Sequence, residues 1–450
     1  MTTLFGVLLS ISGVMVAAWL IWTRRAVVAA FGDKGVAVAL IAFAVLANAA
    51  PALAEDRSSL IIGLLLLGLL GWLVVARRGR LRGPVGVWQR ISLAMAGAVL
   101  IWCLVVDALA GAGVYGSRLP AYGAAGLVLL AVWLMAARVT LSIGAMAYTG
   151  LAVLSVMTIP TALYDQAWRA CTTGKLDKCS LAGALFKSFY NSENYVAMIA
   201  SFTLVAAVYS LSRTRLLAAA GYCLLIIVAT GSRTSYLAIA AVGVWVVGAW
   251  LLERRRAYPQ INFALCVAVV VGCVGMATYL TWSASKTTLS NRGNIWVHAR
   301  DYIANSEVTG VGVSKWYYLR DIGEAPYHFF HSGYVLVIFS GGLVALTLWG
   351  LWLTALLHGR VTDGRAFSAK APVALFVIYS FTEVVWNPLS VDGLTWIFIT
   401  MMLTTSTTAP AGPPPTEAPV ETADRPEPLA ALRRLSSDHR IGHATADARD

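Results

Sequence analysis

The chain has 450 residues, 58% of them hydrophobic and only 12% charged, with a formal net charge of +12. A soluble domain carries about twice that share of charge, so the composition excludes a soluble enzyme and specifies a polytopic membrane protein. Excess Arg and Lys in such a protein belongs mostly to its cytoplasmic loops, so the positive charge is no nucleic-acid signature; part of it remains for an anionic substrate.

A hydrocarbon core of roughly 30 Å takes about 20 apolar residues per helix. On that scale the sequence predicts an all-α bundle of about 12–13 transmembrane helices. In chain order the apolar runs are Leu4–Trp22, Gly35–Leu53, Ser58–Ala76, Ile91–Ala112, Ala121–Ala137, Thr140–Pro160, Tyr195–Leu211, Leu216–Thr230, Tyr236–Leu252, Ile261–Trp282, Gly333–Leu357, Ala371–Val385 and Gly393–Thr404. The first lacks a basic flank and a small-residue cleavage pattern, so no cleavable signal peptide is expected. Around Gly231-Ser232-Arg233 the run reads as one broken helix or as two. Residues 1–404 form the membrane domain, and 283–332 is a large polar loop between late spans. Residues 405–450, rich in Pro and acidic side chains, read as a disordered cytoplasmic tail.

The basic loops orient the bundle. Arg77 to Arg82, Arg213 to Arg215, Arg254 to Arg256 and His358 to Lys370 fall on one side when spans are counted between them, and that side is cytoplasmic. The alternate loops, including 161–194, 231–235 and 283–332, are then external, as is the N-terminus. Cys171 and Cys179 share one external loop and are a candidate disulfide pair. Cys103, Cys223, Cys266 and Cys273 lie in apolar runs and read as packing residues. No Cys and His spacing resembles a metal site.

Five polar stretches can carry chemistry. Asn191, Glu193 and Asn194 enter a span from outside and can hydrogen-bond a sugar or cap the helix. Arg233 either snorkels to the interface or, with Ser232 and the N–H groups of a helix start, grips an anion. Arg292, Trp296, Ala299 and Ile303 share one face of a helix suited to the membrane interface. Gly310-Val311-Gly312 is too short for a dinucleotide fingerprint and reads as a turn needing positive φ. His328 and His331 stand three apart at the mouth of a span, followed by Tyr334. His331 meets the membrane surface and is favoured as base or hydrogen-bond partner. Glu383, near the outer end of a late span, needs a partner, and Arg233 or Arg292 would serve.

These elements, in this order, resemble the O-antigen ligase and polymerase superfamily of bacterial glycan transferases. Gly231-Ser232-Arg233 is similar to the family's Ser-Arg at an external helix start. Arg292-x-x-x-Trp296 with Gly310-x-Gly312 is similar to its Arg-x-x-x-Trp and Gly-x-Gly segment. His331-x-x-Tyr334, leading to Gly341-Gly342, is similar to its His-Asn-x-Tyr segment, with Ser332 in place of the Asn. The resemblance covers Phe189 to Pro388. It implies transfer of a glycan from a polyprenyl diphosphate carrier to an acceptor hydroxyl at the outer face of the bacterial plasma membrane. His331, Arg292 and Arg233 would be catalytic. Trp296, Glu193, Asn191, Tyr334, His328, Glu383 and Ser232 would contact substrate. No metal and no cofactor are expected, and the acceptor could be a glycan, a lipid or a protein. One displacement at the anomeric carbon would invert its configuration. The alternative is a transporter or flippase of lipid-linked oligosaccharides, which predicts ionisable groups at mid-membrane and inverted repeats. No repeat is visible.

Overall fold

In lipid every backbone polar group must be satisfied within the protein, so apolar runs of this length fold as helices. The computed structural model describes residues 1–53, 58–76, 86–110, 115–136, 138–139, 141–171, 178–190, 192–254, 259–326, 330–358 and 366–404. Asn191, His328 and the tail at 405–450 lie outside the described residues, as do most of the basic loops at 77–82 and 359–370.

The chain runs through α1 (Thr2–Trp22), α2 (Arg24–Phe31), α3 (Lys34–Leu53), α4 (Ser58–Ala76), α5 (Val87–Ala110), α6 (Tyr115–Ala136) and α7 (Ile143–Thr158). A short antiparallel hairpin follows, β1 (Trp168–Ala170) paired with β2 (Ala184–Phe186) in the register Trp168–Phe186, Arg169–Leu185, Ala170–Ala184. Then come α8 (Glu193–Ser210), α9 (Arg213–Thr230), α10 (Arg233–Arg254), α11 (Pro259–Ser283), α12 (Thr288–Ile303), α13 (Val313–Asp321), α14 (Gly333–His358), α15 (Ala366–Tyr379) and α16 (Thr395–Leu403). Among the described residues, α1, α3, α5, α6, α9, α11 and α14 are long and apolar enough to cross a membrane, and shorter apolar helices lie within α4, α7 and α15. The architecture is the all-α polytopic bundle that the composition predicts.

Helices α7 and α8 are buried on nearly every face along most of their length, which places them at the centre of the bundle. A Cβ on Gly150 would lie 1.9 Å from Thr203 Oγ1, so only glycine lets these two backbones approach as they do. The region around Gly231 is two helices. Gly231 ends α9 at φ 60°, where the Cβ of any other residue is strained, and α10 starts at Arg233.

Two departures from a simple up-and-down bundle shape the polar end. Helix α14 breaks at Gly341 and Gly342, the latter at φ 62° and ψ −158°. The loop before α13 enters the break. Val311 N–H donates to Phe339 O at 2.8 Å, Leu343 N–H to Glu307 O at 2.8 Å and Val344 N–H to Val308 O at 3.2 Å. Trp102 Nε1 donates to Gly341 O at 2.8 Å. The groups freed by the break are thus taken up by a neighbouring segment, the condition for irregular backbone inside a membrane protein. Asp107, fully buried on α5, holds the same loop: Ser314 N–H and Oγ donate to its carboxylate at 2.8 and 2.6 Å, and Tyr122 OH at 2.8 Å.

The second departure is the end of α15. The apolar run predicts a span reaching Val385, but the helix stops at Tyr379 and residues Ser380–Glu383 form turns. Their carbonyls are captured from outside the helix. Gly333 N–H donates to Ser380 O at 2.8 Å and to Glu383 O at 3.2 Å. Ser332 Oγ donates to Ser380 O at 3.1 Å, and Arg292 Nη1 to Thr382 O. Unwinding here sets the Glu383 carboxylate between three chain segments.

Candidate functional site

Glu383 is the hub. Its side chain is 7% exposed and forms an ion pair with Arg292, Nη2 to Oε1 at 2.5 Å. Asn194 Nδ2 donates to the same oxygen at 2.7 Å. His331 Nδ1 lies 3.8 Å from Oε2, beyond hydrogen-bond range but within ion-pair range of an imidazolium. Asn194 carries the network further: its Oδ1 accepts from Ser232 Oγ at 3.0 Å, and Ser235 Oγ donates to Ser232 Oγ at 3.0 Å. Tyr379 OH then links Ser235 to Ser201 at 2.8 and 2.7 Å. Segments from α8, α12 and the mouth of α14 therefore meet at the carboxylate beyond the end of α15, and the start of α10 joins them through Asn194.

His331 is held in a sparsely populated backbone conformation, φ 48°. For a non-glycine residue this costs about 1–3 kcal/mol, and such strain persists only where neighbours fix it. On its N-terminal side Phe330 is buried against Trp316 and Phe339 at ring distances of 4.5 and 4.9 Å, and Trp296 Nε1 donates to Phe330 O at 2.9 Å. On its C-terminal side Ser332 Oγ is tied to Ser380 O and accepts Val335 N–H at 3.4 Å as the N-cap of α14. Ser332, which stands where the family pattern has Asn, is thus a cap and a tether. The imidazole itself is 36% exposed.

A second carboxylate adjoins the first. Glu193 begins α8, after Ser192 has capped the helix by accepting Asn194 N–H at 3.3 Å. Lys178 Nζ sits on Glu193 Oε1 and lies 3.4 Å from Asn194 Oδ1. Arg169 Nη1 is 3.2 Å from Oε2, an ion pair without hydrogen-bond geometry. Burial pushes the Glu193 carboxyl up, but Lys178, its own backbone N–H and Arg169 more than offset this and hold it below the ordinary carboxylate range. Both cations come from the β1–β2 hairpin, whose connecting loop is closed by a disulfide between Cys171 and Cys179, Cα atoms 4.8 Å apart.

Of the residues singled out in the sequence, Arg292, His331, Glu383, Ser232 and Glu193 lie in this connected cluster. Arg233 follows Ser232 at the exposed start of α10. Two others face elsewhere. Trp296 is 2% exposed and spends its indole N–H on Phe330; with Ala299 and Ile303, both buried, it packs α12 into the protein. Tyr334 is also 2% exposed, donates to Val377 O at 3.3 Å and packs, with rings tilted, against Phe381 at 5.1 Å. Both side chains are buried: Trp296 holds the segment before His331 through Phe330, and Tyr334 packs α14 against α15. Asn194, Lys178 and Arg169 carry links that the sequence reading did not assign.

Residues 218–350 match the family model described as O-antigen ligase. No curated protein and no solved structure matches the chain. The matched segment contains Arg233, Arg292, His331 and the break in α14, and leaves Asn194 and Glu383 on either side. The chain is a multi-pass membrane protein, and its residues 218–350 are similar to the O-antigen ligase family, which supports a lipid-linked glycan transferase-like function.

Proposed function

We propose that the chain transfers a glycan from a polyprenyl diphosphate carrier to an acceptor hydroxyl at the outer face of a bacterial plasma membrane. The observation that carries this reading is the meeting of Arg292, His331 and the Ser232-Arg233 helix start around Glu383. Those three elements come from separate stretches of chain, and cations beside a candidate base suit a reaction that expels a diphosphate and deprotonates an acceptor. The disulfide beside them favours an oxidising compartment, hence the outer face.

In the proposed reaction the acceptor oxygen bonds to the anomeric carbon as the bond to the diphosphate oxygen breaks. The electron pair leaves with the diphosphate. Arg292 and Arg233 stabilise the charge that develops there, a role for preorganised donors in a partly dry site. A guanidinium has five N–H donors, and Arg292 gives one each to Glu383 and Thr382, which leaves others for phosphate oxygens. The acceptor proton passes to His331. With Nδ1 turned to Glu383, Nε2 is the accepting nitrogen, and the carboxylate steadies the imidazolium that forms. Attack from the face opposite the leaving group inverts the anomeric configuration.

The test is transfer by the purified protein from a polyprenyl-diphosphate glycan to an acceptor. His331→Ala is expected to lower kcat by about 10²–10⁴-fold, the usual contribution of a general base. Arg292→Lys, which keeps the charge but loses the planar fork, should also be impaired. Undiminished transfer by both variants overturns the site assignment. Lipid-linked glycan transport without transfer overturns the function.

A further inference from the structure

The hairpin loop raises a question that the proposed reaction does not answer: why one buried carboxylate, Glu193, gathers two cations. Its side chain is 6% exposed, while Arg169 and Lys178 are 44% and 24% exposed. A single cation satisfies a carboxylate, and Glu193 already stands at the positive end of α8. Taken with Arg292 on Glu383, three Arg and Lys side chains pair with the two carboxylates Glu193 and Glu383. The excess of one positive charge suits an anionic ligand.

Position singles out Lys178. Its ammonium has three donors, of which Glu193 and Asn194 take two. Asn194 is also the residue bonded to Glu383, so Lys178 is one side chain removed from the Arg292 and His331 carboxylate. The loop that carries it rests on the start of the Gly-Ser-Arg element. A Cβ on Gly231 would lie 3.2 Å from Cys179 O and 3.3 Å from Ser180 N, and 2.8 Å from the Leu185 side chain. Lys178 therefore stands on the hairpin side of the Ser232-Arg233 helix start. The disulfide ends at the very next residue, Cys179. The hairpin is fixed elsewhere by Thr2 Oγ1 donating to Ala182 O at 3.0 Å and by buried Leu185 and Phe186. The bridge thus governs where the lysine can reach.

We infer that Lys178 is a donor-diphosphate contact delivered by the Cys171–Cys179 loop, so that donor binding depends on that disulfide. The inference rests on the proposed function for the identity of the donor, but its anion-binding content stands apart from transfer. On approach of the diphosphate, Lys178 gives its remaining N–H to a phosphate oxygen while Arg169 stays with Glu193. No bond is made or broken by the lysine.

The experiment uses the full chain in detergent, with wild type, Lys178→Ala, Lys178→Arg, Cys171→Ser/Cys179→Ser and the triple variant. Binding of inorganic pyrophosphate is measured by calorimetry, and donor KM and kcat by transfer. One charge-assisted hydrogen bond corresponds to ~10–100-fold in affinity. Lys178→Ala should weaken pyrophosphate binding and raise donor KM by that factor, with kcat little changed and Lys178→Arg partly restoring both. The disulfide-free variant should raise KM in the same way, and adding Lys178→Ala to it should raise KM no further. A scaffold role would instead lower stability or kcat and leave KM alone. Pyrophosphate binding that is absent from wild type, or unchanged by Lys178→Ala, overturns the inference whatever the transfer assay gives. Lys178-dependent pyrophosphate binding without glycan transfer supports the inference and overturns the proposed function.

Discussion

At the scale of single residues, the ion pair of Arg292 and Glu383 sets the energetics of the site. Both side chains are mostly buried, 16% and 7% exposed, so removing one leaves the other charge with little water. Glu383→Ala should therefore destabilise the protein by about 3–5 kcal/mol, read as a shift in detergent unfolding. A loss below about 1 kcal/mol would mean that the pair behaves as a surface one. Glu193 gives a pH signature. Its carboxyl is held below the ordinary range, so its contribution is complete above the unfolded value of about 4.3 and is lost as pH falls through the lower folded value. The stability gap between wild type and Glu193→Gln should be widest near neutrality and close in acid, measured by melting temperature across pH. Arg292, His331, Ser232 and Glu383 were legible because each is a polar residue at a helix mouth or within an apolar run, where polarity needs a reason. Asn194 was read beside a capping role that Ser192 in fact fills. Lys178 and Arg169 reach Glu193 only through a hairpin pairing and a bridge, and no local pattern announces such a contact.

At the scale of elements, the break in α14 and the loop that enters it act as one unit. Gly310 has φ 80°, and a Cβ there would lie 2.4 Å from Gly342 N and 2.6 Å from Gly341 N. Those are backbone atoms with nowhere to move. Gly310→Ala should cost more than ~2 kcal/mol through strain and displaced hydrogen bonds, and should depress activity because His331 follows on the same loop. Native-like melting and transfer in that variant would show the insertion to be dispensable. The sequence marks the Gly-x-Gly as a turn needing positive φ, and both glycines do have it, 80° and 83°. It does not reveal that the turn docks into a second glycine pair, because that partner lies about thirty residues on and looks like an ordinary apolar span. Asp107 is a lone acid in an apolar run, a signal of the same kind. It is matched by the N-terminus of α13, an acceptor placed where a helix start presents free N–H groups.

At the scale of the whole molecule, apolar length and basic loops foretold most of the helix order. Short elements escaped. The eight-residue α2 carries two Arg and no span-length run, and α15 unwinds where its carbonyls find outside partners. The arrangement predicts opposite exposures for two polar positions. Lys286→Cys, before α12, should react with a membrane-impermeant maleimide in intact cells, and Arg213→Cys, at the start of α9, only after permeabilisation. The reverse pattern would turn the protein over and move the proposed site inside. The stretches around Glu307 and Leu343 hydrogen-bond to each other across the break, and Gly333 is tied in turn to Ser380 and Glu383. Between these ties in the chain, Tyr318, Asp321 and Ile322 are exposed. Side chains at these exposed positions are therefore free to vary without disturbing the hydrogen bonds that hold His331 in register.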